Sequence, residues 1–316
     1  MNSKSVWLSA IALLLTLVQT FAATLLSPTE YIILDIALWV LILISVTYST
    51  EITLSLYNVT IWYNVLVVSI LMTVPQTVIA IELARAGHYT AAWLDSILST
   101  VVDAVLATAL VRRHVIGSPY IWSLLPIMVV WSVLALSINA ATYMGVRKEM
   151  IGLWLVAGYA ALPIWIVRRS GGGGSMPPLA VLANTFMNTV AMAVASYNLT
   201  HALYSLHMEE TTLGVVSTLL ATLPDLIVAL IIRASFALLV NDVAGDREMV
   251  ATMLASAIHD QISVPALILL VDPQALTYFP HYVALFAVVV KFALLDRHAF
   301  YYVALPASIA LLFLLA

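Results

Sequence analysis

Long apolar runs separated by short polar connections dominate the chain. They cover residues 6–26, 31–46, 59–84, 91–110, 120–141, 151–167, 178–203, 213–239, 250–271, 282–295 and 301–316. Most approach the roughly 20 residues a helix needs to cross a bilayer. The runs lack the alternation of about ten residues expected of a membrane β-barrel strand. The pattern predicts an all-α polytopic membrane protein of about eleven transmembrane helices. Composition agrees: 63% of residues are hydrophobic and 9% charged, against roughly 45–50% and about 25% in soluble domains, and mean hydropathy is +1.07. With no cysteine, disulfides and thiolate metal sites are excluded.

The first run follows Lys4 and ends in small residues at 21–23, as a signal peptide would, but the cleavage pattern is poor and a membrane helix is expected. Near the middle, "SGGGGSM" holds four of the eleven glycines and then a methionine. It looks like an engineered flexible linker joining two separately started chains, which would make the natural protein a complex of two half-length subunits. The plain alternative is a natural loop. Either way the chain divides into an extra N-terminal helix at 1–28, a repeat at 29–169, the Gly-Ser segment at 170–175 and a second repeat at 176–316.

Charge sets the expected orientation. With Lys4 on the cytoplasmic side, alternation puts Arg112, Arg113, Arg168, Arg169, Arg233, Arg247, Lys291 and Arg297 there too, leaving Arg85, Arg147 and Lys148 outside. Nine against three follows the positive-inside rule. The helix beginning near Tyr31 then enters from outside and its counterpart near Pro178 from inside. Two inverted five-helix repeats result, an arrangement that in transporters surrounds a substrate site near the midplane.

Candidate chemistry sits at matching points of the two halves. "TVPQT" at 73–77 and "TLPDL" at 222–226 lie 149 positions apart, each inside an apolar run. Pro75 and Pro224 cannot donate to the carbonyls of Leu71 and Leu220, so a kink with a freed carbonyl is expected in each helix. Such a carbonyl is tolerated at membrane depth where it lines a cavity or meets a ligand. Thr73 and Gln76 accompany the first proline, Thr222 and Asp225 the second. The next run of each half repeats Ser-x-x-x-Asp, as Ser99 with Asp103 and Ser256 with Asp260; residues four apart share a helix face. Each element alone reads as a kink or a small-residue packing face. Their recurrence in the same order reads as a site.

Buried acids need a counter-charge. No Lys or Arg lies centrally in these four runs, and His259 is the only basic candidate. A proton or a bound cation is therefore expected at Asp103, Asp225 and Asp260. Carboxylates, hydroxyls, an amide and carbonyls are hard oxygen ligands suited to calcium or sodium, while magnesium resists the dehydration that such a cage implies.

These motifs resemble those of the calcium/cation antiporters, which include sodium/calcium and proton/calcium exchangers. That family carries a Thr-Ser-Leu-Pro-Glu-like stretch in one helix and a Gly-Asn-x-x-Gly-Ser-Asn-like stretch in the next, twice. Here "MTVPQT" and "ATLPDL" stand for the first, "LDSILSTVVD" and "TMLASAIHD" for the second. The resemblance implies ion ligands at Thr73, Gln76, Ser99, Asp103, Thr222, Asp225, Ser256 and Asp260. It departs from the family at Gln76, at Asp225 and in the missing glycines. It implies a secondary antiporter of the plasma membrane that exchanges calcium for sodium or protons by alternating access, with no enzymatic activity and no resident cofactor. Membrane lipids and small inorganic cations are its expected partners, and nucleic acid is not. The alternatives are a proton-coupled exchanger of another cation, a non-transporting subunit, or a metal-dependent intramembrane enzyme.

Elsewhere, Glu82 is expected to pair with Arg85 three residues on. His201, His207, Glu209 and Glu210 are expected in an external connection, and "NDVAGDRE" at 241–248 in a cytoplasmic one.

Overall fold

The computed structural model describes residues 3–57, 63–110, 114–171, 178–227, 229–230 and 243–315. Residues 172–177, and with them most of the Gly-Ser segment, lie outside this set, as do Arg112, Arg113 and Arg233. Eleven helical elements follow in order: α1 (Ser3–Leu25), α2 (Pro28–Tyr57), α3 (Ser69–Arg85) and α4 (Tyr89–Ala107); α5 (Leu125–Met144), α6 (Lys148–Arg169) and α7 (Leu179–Tyr204); and α8 (Glu210–Ala221), α9 (Asp246–Val271), α10 (His281–Leu295) and α11 (Arg297–Leu315). Among the described residues, nine helices are long and apolar enough to span a membrane. The other two are α10, which is shorter, and α8, whose apolar continuation lies largely outside the described residues. The protein is all-α and polytopic.

α1 is built inside out relative to a helix of a soluble protein. On α1, Trp7, Leu14, Leu17, Phe21 and Leu25 are exposed, while Ser5, Ser9, Ala12, Thr16 and Gln19 are buried. Lipid solvates the large apolar face as well as another helix would, so packing selects small side chains and hydrogen bonds for the contact face. Those groups tie α1 to α2 and α7.

Several boundaries differ from the hydropathy reading. α2 runs past residue 46 to Tyr57 because its last turns, though rich in Ser and Thr, return hydroxyls to their own helix, as Thr50 does to Val46 O at 2.8 Å and Thr53 to Ser49 O at 2.7 Å. The run at 120–141 is two pieces: a short turn, Pro119–Ser123, capped by Ser118, and then α5. Gly117, at φ +71°, sends its N–H to Leu294 O at 2.9 Å and packs on the Leu295–Arg297 backbone.

Contacts sort the connections into two ends. At one end His88 meets Glu210, Tyr89 donates its hydroxyl to Asp272, and His281 bonds Asn139 and stacks on Tyr143. At the other, Tyr120 bonds Ser170 and lies under Arg247, and His114 meets Asp246. Cross-links also fix relative direction. Ser49 near the end of α2 bonds Asn184 near the start of α7, and Asp35 near the start of α2 shares Gln19 with Ala195 further along α7. These two helices run antiparallel, and so do α4 and α9, where Tyr89 meets Asp272 and Thr100 meets Ala257. The end of α3 and the start of α8 share an end, which makes that pair antiparallel too.

Candidate cation site

The four helices that carry the paired motifs meet at the centre of the molecule, with α4 innermost; every residue from Ala91 to Val105 is buried. Hydroxyls pin α4 to its neighbours' backbones. Ser96 donates to Asp260 O, Thr100 to Ala257 O at 3.3 Å, and Thr218 of α8 reaches Leu94 O at 3.3 Å. Gly214 permits the α8 contact: a Cβ there would stand 2.8 Å from Leu94 Cβ and 3.0 Å from Ala91 Cα.

The two prolines act differently. Pro75 sits inside a continuous α3, and Thr73 bonds Ile70 O at 3.0 Å. α8 stops at Ala221, with Thr222 as a turn before the chain resumes helix at 223–227. α3 thus runs on through Pro75, while the second motif has a single turn residue, Thr222, between two helical stretches. A proline removes a single ladder bond, and whether the helix stops depends on the turns around it. A cleft between α2, α3 and α7, lined in part by Thr50, Met72, Met192 and Pro224, reaches the residues that flank Thr73 and Asp225.

Gln76 and Asp225 close on one another across the two halves: Gln76 Nε2 donates to Asp225 Oδ2 at 2.9 Å. Ser256 Oγ lies 3.5 Å from Asp225 Oδ1. Asp103 stands within reach of Ser256, Asp225 and Asp260, and Asp260 lies close enough to feel Asp103, Asp225 and Asp95. All of these side chains are fully buried. Five of the eight expected residues are therefore together: Gln76, Asp103, Asp225, Ser256 and Asp260. Thr73, Ser99 and Thr222 are buried on the same turns, but their recorded bonds donate to their own helices, Ser99 to Asp95 O at 2.6 Å and Thr222 to Thr218 O at 2.7 Å. Their oxygen lone pairs stay available as acceptors.

Asp103 and Asp260 each occupy a π-helical turn, Val102–Ala107 and His259–Ser263. Such turns recur at functional positions in helices. The second of them packs on another π turn, Ala157–Ala161 of α6, where a Cβ on Gly158 would strike Ser263 Oγ.

Both oxygens of Asp95, Asp103 and Asp260 have no hydrogen bond of full geometry among the described residues. No three His, Asp or Glu side chains there already close on one point as a metal cage. Taking a carboxylate out of water costs several kcal/mol even after relaxation, and the whole stability of a domain is roughly 5–15 kcal/mol. Three or four such groups cannot remain charged and alone. The recorded ion pairs among the described residues, Arg85–Glu82, His88–Glu210 and His114–Asp246, all lie at helix ends.

Two basic side chains are buried nearby, and neither meets the acids. His259 Nε2 lies 3.1 Å from Ser69 Oγ, with the ring stacked on Tyr159. Lys291, counted on the cytoplasmic side by the charge pattern, is fully buried. Its Nζ sits 3.8 Å above the Trp131 ring and donates to Gln261 Oε1 at 3.1 Å. An aromatic face and an amide oxygen receive the Lys291 amine there, which hydropathy cannot reveal. Asp95 was also missed, although its row Asp95, Ser99, Asp103 was visible at four-residue spacing.

No protein-family model matches the chain, and no curated protein does. Two solved structures of the sodium-calcium exchanger NCX_Mj align with it. One, soaked with zero Na+ and Ca2+, has 15% identity over 98% of this chain and 96% of that one, at a TM-score of 0.48. The other, soaked with 2.5 mM Na+ and 1 mM Sr2+, has 14% identity over 99% and 97%, at a TM-score of 0.47. At such low identity and loose superposition, the chemistry of the site rests on its own side chains.

Proposed function

We propose that the chain is a secondary active cation antiporter, exchanging calcium for sodium or protons at a midplane site of oxygen ligands. One observation carries this reading. Fully buried Asp103, Asp225 and Asp260, one from the first half and two from the second, lie close together, and among the described residues no cationic side chain stands against them. Hard oxygen donors of this kind favour calcium and sodium. The site would be Thr73, Gln76, Ser99, Asp103, Thr222, Asp225, Ser256 and Asp260. Because corresponding helices run in opposite directions, rocking one half on the other would open the site to each side by turns. The plasma membrane is the location this role favours.

A second reading, a proton-coupled exchanger of another cation, is favoured by Gln76. A neutral amide holds Asp225 at 2.9 Å, at the point where the family resemblance implies a further acid. Both readings are tested by reconstituting the protein in liposomes with calcium on one side and an imposed sodium or proton gradient. Calcium movement that follows the sodium gradient supports the first reading, and movement that follows only the proton gradient supports proton coupling. Calcium that ignores both gradients would remove calcium exchange.

A further inference from the structure

Away from the central helices, Asp35 of α2 is fully buried where α1, α2 and α7 cross. Its two recorded donors reach the same oxygen: Gln19 Nε2 of α1 lies 2.7 Å and the Tyr31 hydroxyl 2.6 Å from Oδ1. Oδ2 has no partner among the described residues. An ionised carboxylate accepts at both oxygens, whereas the neutral acid has one accepting oxygen and one that carries the proton. Gln19 Nε2 also donates to Ala195 O of α7 at 3.4 Å, which fixes the direction of its amide. Gln19 Oε1 keeps lone pairs to offer, its recorded donor being Asn198 Nδ2 at 3.5 Å. The basic side chains of these three helices are Lys4, about 22 Å along α1 from Gln19, and His201, which packs between Tyr197 and Tyr204. Their other acids are Glu30, exposed and bonded to Ser27, and Glu51, more than four turns along α2.

We infer that Asp35 is a proton-binding position separate from the central acids, and that its proton controls how α1 grips the two halves of the molecule. With the proton on Oδ2, the acid has a hydrogen to offer Gln19 Oε1, while Oδ1 keeps the Gln19 amide and the Tyr31 hydroxyl. Donors and acceptors then match on both side chains. Without the proton, Oδ2 is part of a buried anion that has no counter-charge and faces an amide oxygen, which is strongly unfavourable. Loss of the proton therefore favours any arrangement that brings water or a free donor to Oδ2. The side chain that must give way is Gln19, which also holds Ala195. Because α2 belongs to the first half and α7 to the second, rising pH would loosen a joint between the halves.

The test reads the proton by infrared spectroscopy of the purified full chain at neutral pH, in buffer free of calcium and sodium, so its outcome does not depend on the exchange reading. Subtracting the Asp35→Asn spectrum from that of the wild type cancels the central acids and should leave one protonated-carboxyl band. Tyr31→Phe should keep that band and move it to higher frequency, because a hydrogen bond to the carbonyl oxygen is gone; this variant keeps the test open if Asp35→Asn fails to fold. Thermal melts at increasing pH read the consequence. A proton bound in the folded state contributes stability that is present at low pH and lost as the acid ionises. Asp35→Asn, which has no proton to lose, should lack that part of the fall in melting temperature. A difference spectrum without a protonated-carboxyl band, or no band that Tyr31→Phe moves, would overturn the position. The same pH dependence of melting in wild type and Asp35→Asn would overturn its control of the joint.

Discussion

Two buried polar regions of this protein are spent in opposite ways. Where α1, α2 and α7 meet, Ser9, Ser49, Thr50, Asn184 and Asn188 form a network of bonds between 2.6 and 3.2 Å. Nearer the other end of that interface, Asp35 Oδ1 accepts from Gln19 at 2.7 Å and Tyr31 at 2.6 Å, and only its Oδ2 has no partner among the described residues. Where α3, α4, α8 and α9 meet, both oxygens of Asp95, Asp103 and Asp260 have no hydrogen bond of full geometry among the described residues, although Ser217 stands beside Asp95 and Ser256 beside Asp103. The first region spends its polar atoms on joining helices. The second leaves carboxyl oxygens unmatched by side-chain donors among the described residues, and the proposed function assigns them to a cation. Burial alone would rank the two alike, and it is the hydrogen-bond accounting that separates them.

The comparison breaks first at the central acids. Asp225→Asn or Asp260→Asn should abolish cation-induced stabilisation, which for the wild type at 100 times Kd amounts to about 2.7 kcal/mol. Folding should survive, because an amide is easier to bury than a carboxylate. Asn184→Ala should do the reverse. It removes interhelical bonds worth about 1–2 kcal/mol in total and lowers the melting temperature, while the cation response stays. Thermal melts with and without calcium read both. If Asn184→Ala also erased the cation response, the two regions would not be separate.

A smaller effect sharpens the central region itself. Gln76 holds Asp225 and Asp103 lies within reach of it, so the amide and the extra acid stand against the same carboxylate. Asp103→Asn removes one negative charge and Gln76→Glu supplies one. The double variant should recover binding relative to Asp103→Asn alone, with a coupling of at least about 0.5 kcal/mol. A double variant no better than the worse single one, at equal stability, would mean that Asp103 acts by position and not by charge.

Much of this was legible in the chain. Nine of the eleven runs correspond to helices long and apolar enough to span a membrane among the described residues, and the recurrence of Pro-Gln with Pro-Asp and of Ser-x-x-x-Asp picked out the five residues that lie together. Other features have no one-dimensional signature. The π turns at Asp103 and Asp260 arise from packing against other helices, not from composition. Recurrence itself hid Asp95, because the equivalent place in the second half is Thr252, and a criterion built on matching halves passes over what only one half has. The charge pattern counted Lys291 only as a cytoplasmic-side charge. Only the folded chain shows that Trp131 and Gln261 receive it.

The central claim is that unpartnered carboxylates, and not the satisfied polar network, make the cation site. Equilibrium dialysis with radioactive calcium on three purified forms tests it most directly: wild type, Asp260→Asn and Asn184→Ala. The account predicts saturable binding by wild type and Asn184→Ala, and none by Asp260→Asn in the same concentration range. Wild-type binding by Asp260→Asn, or binding lost only in Asn184→Ala, would contradict it.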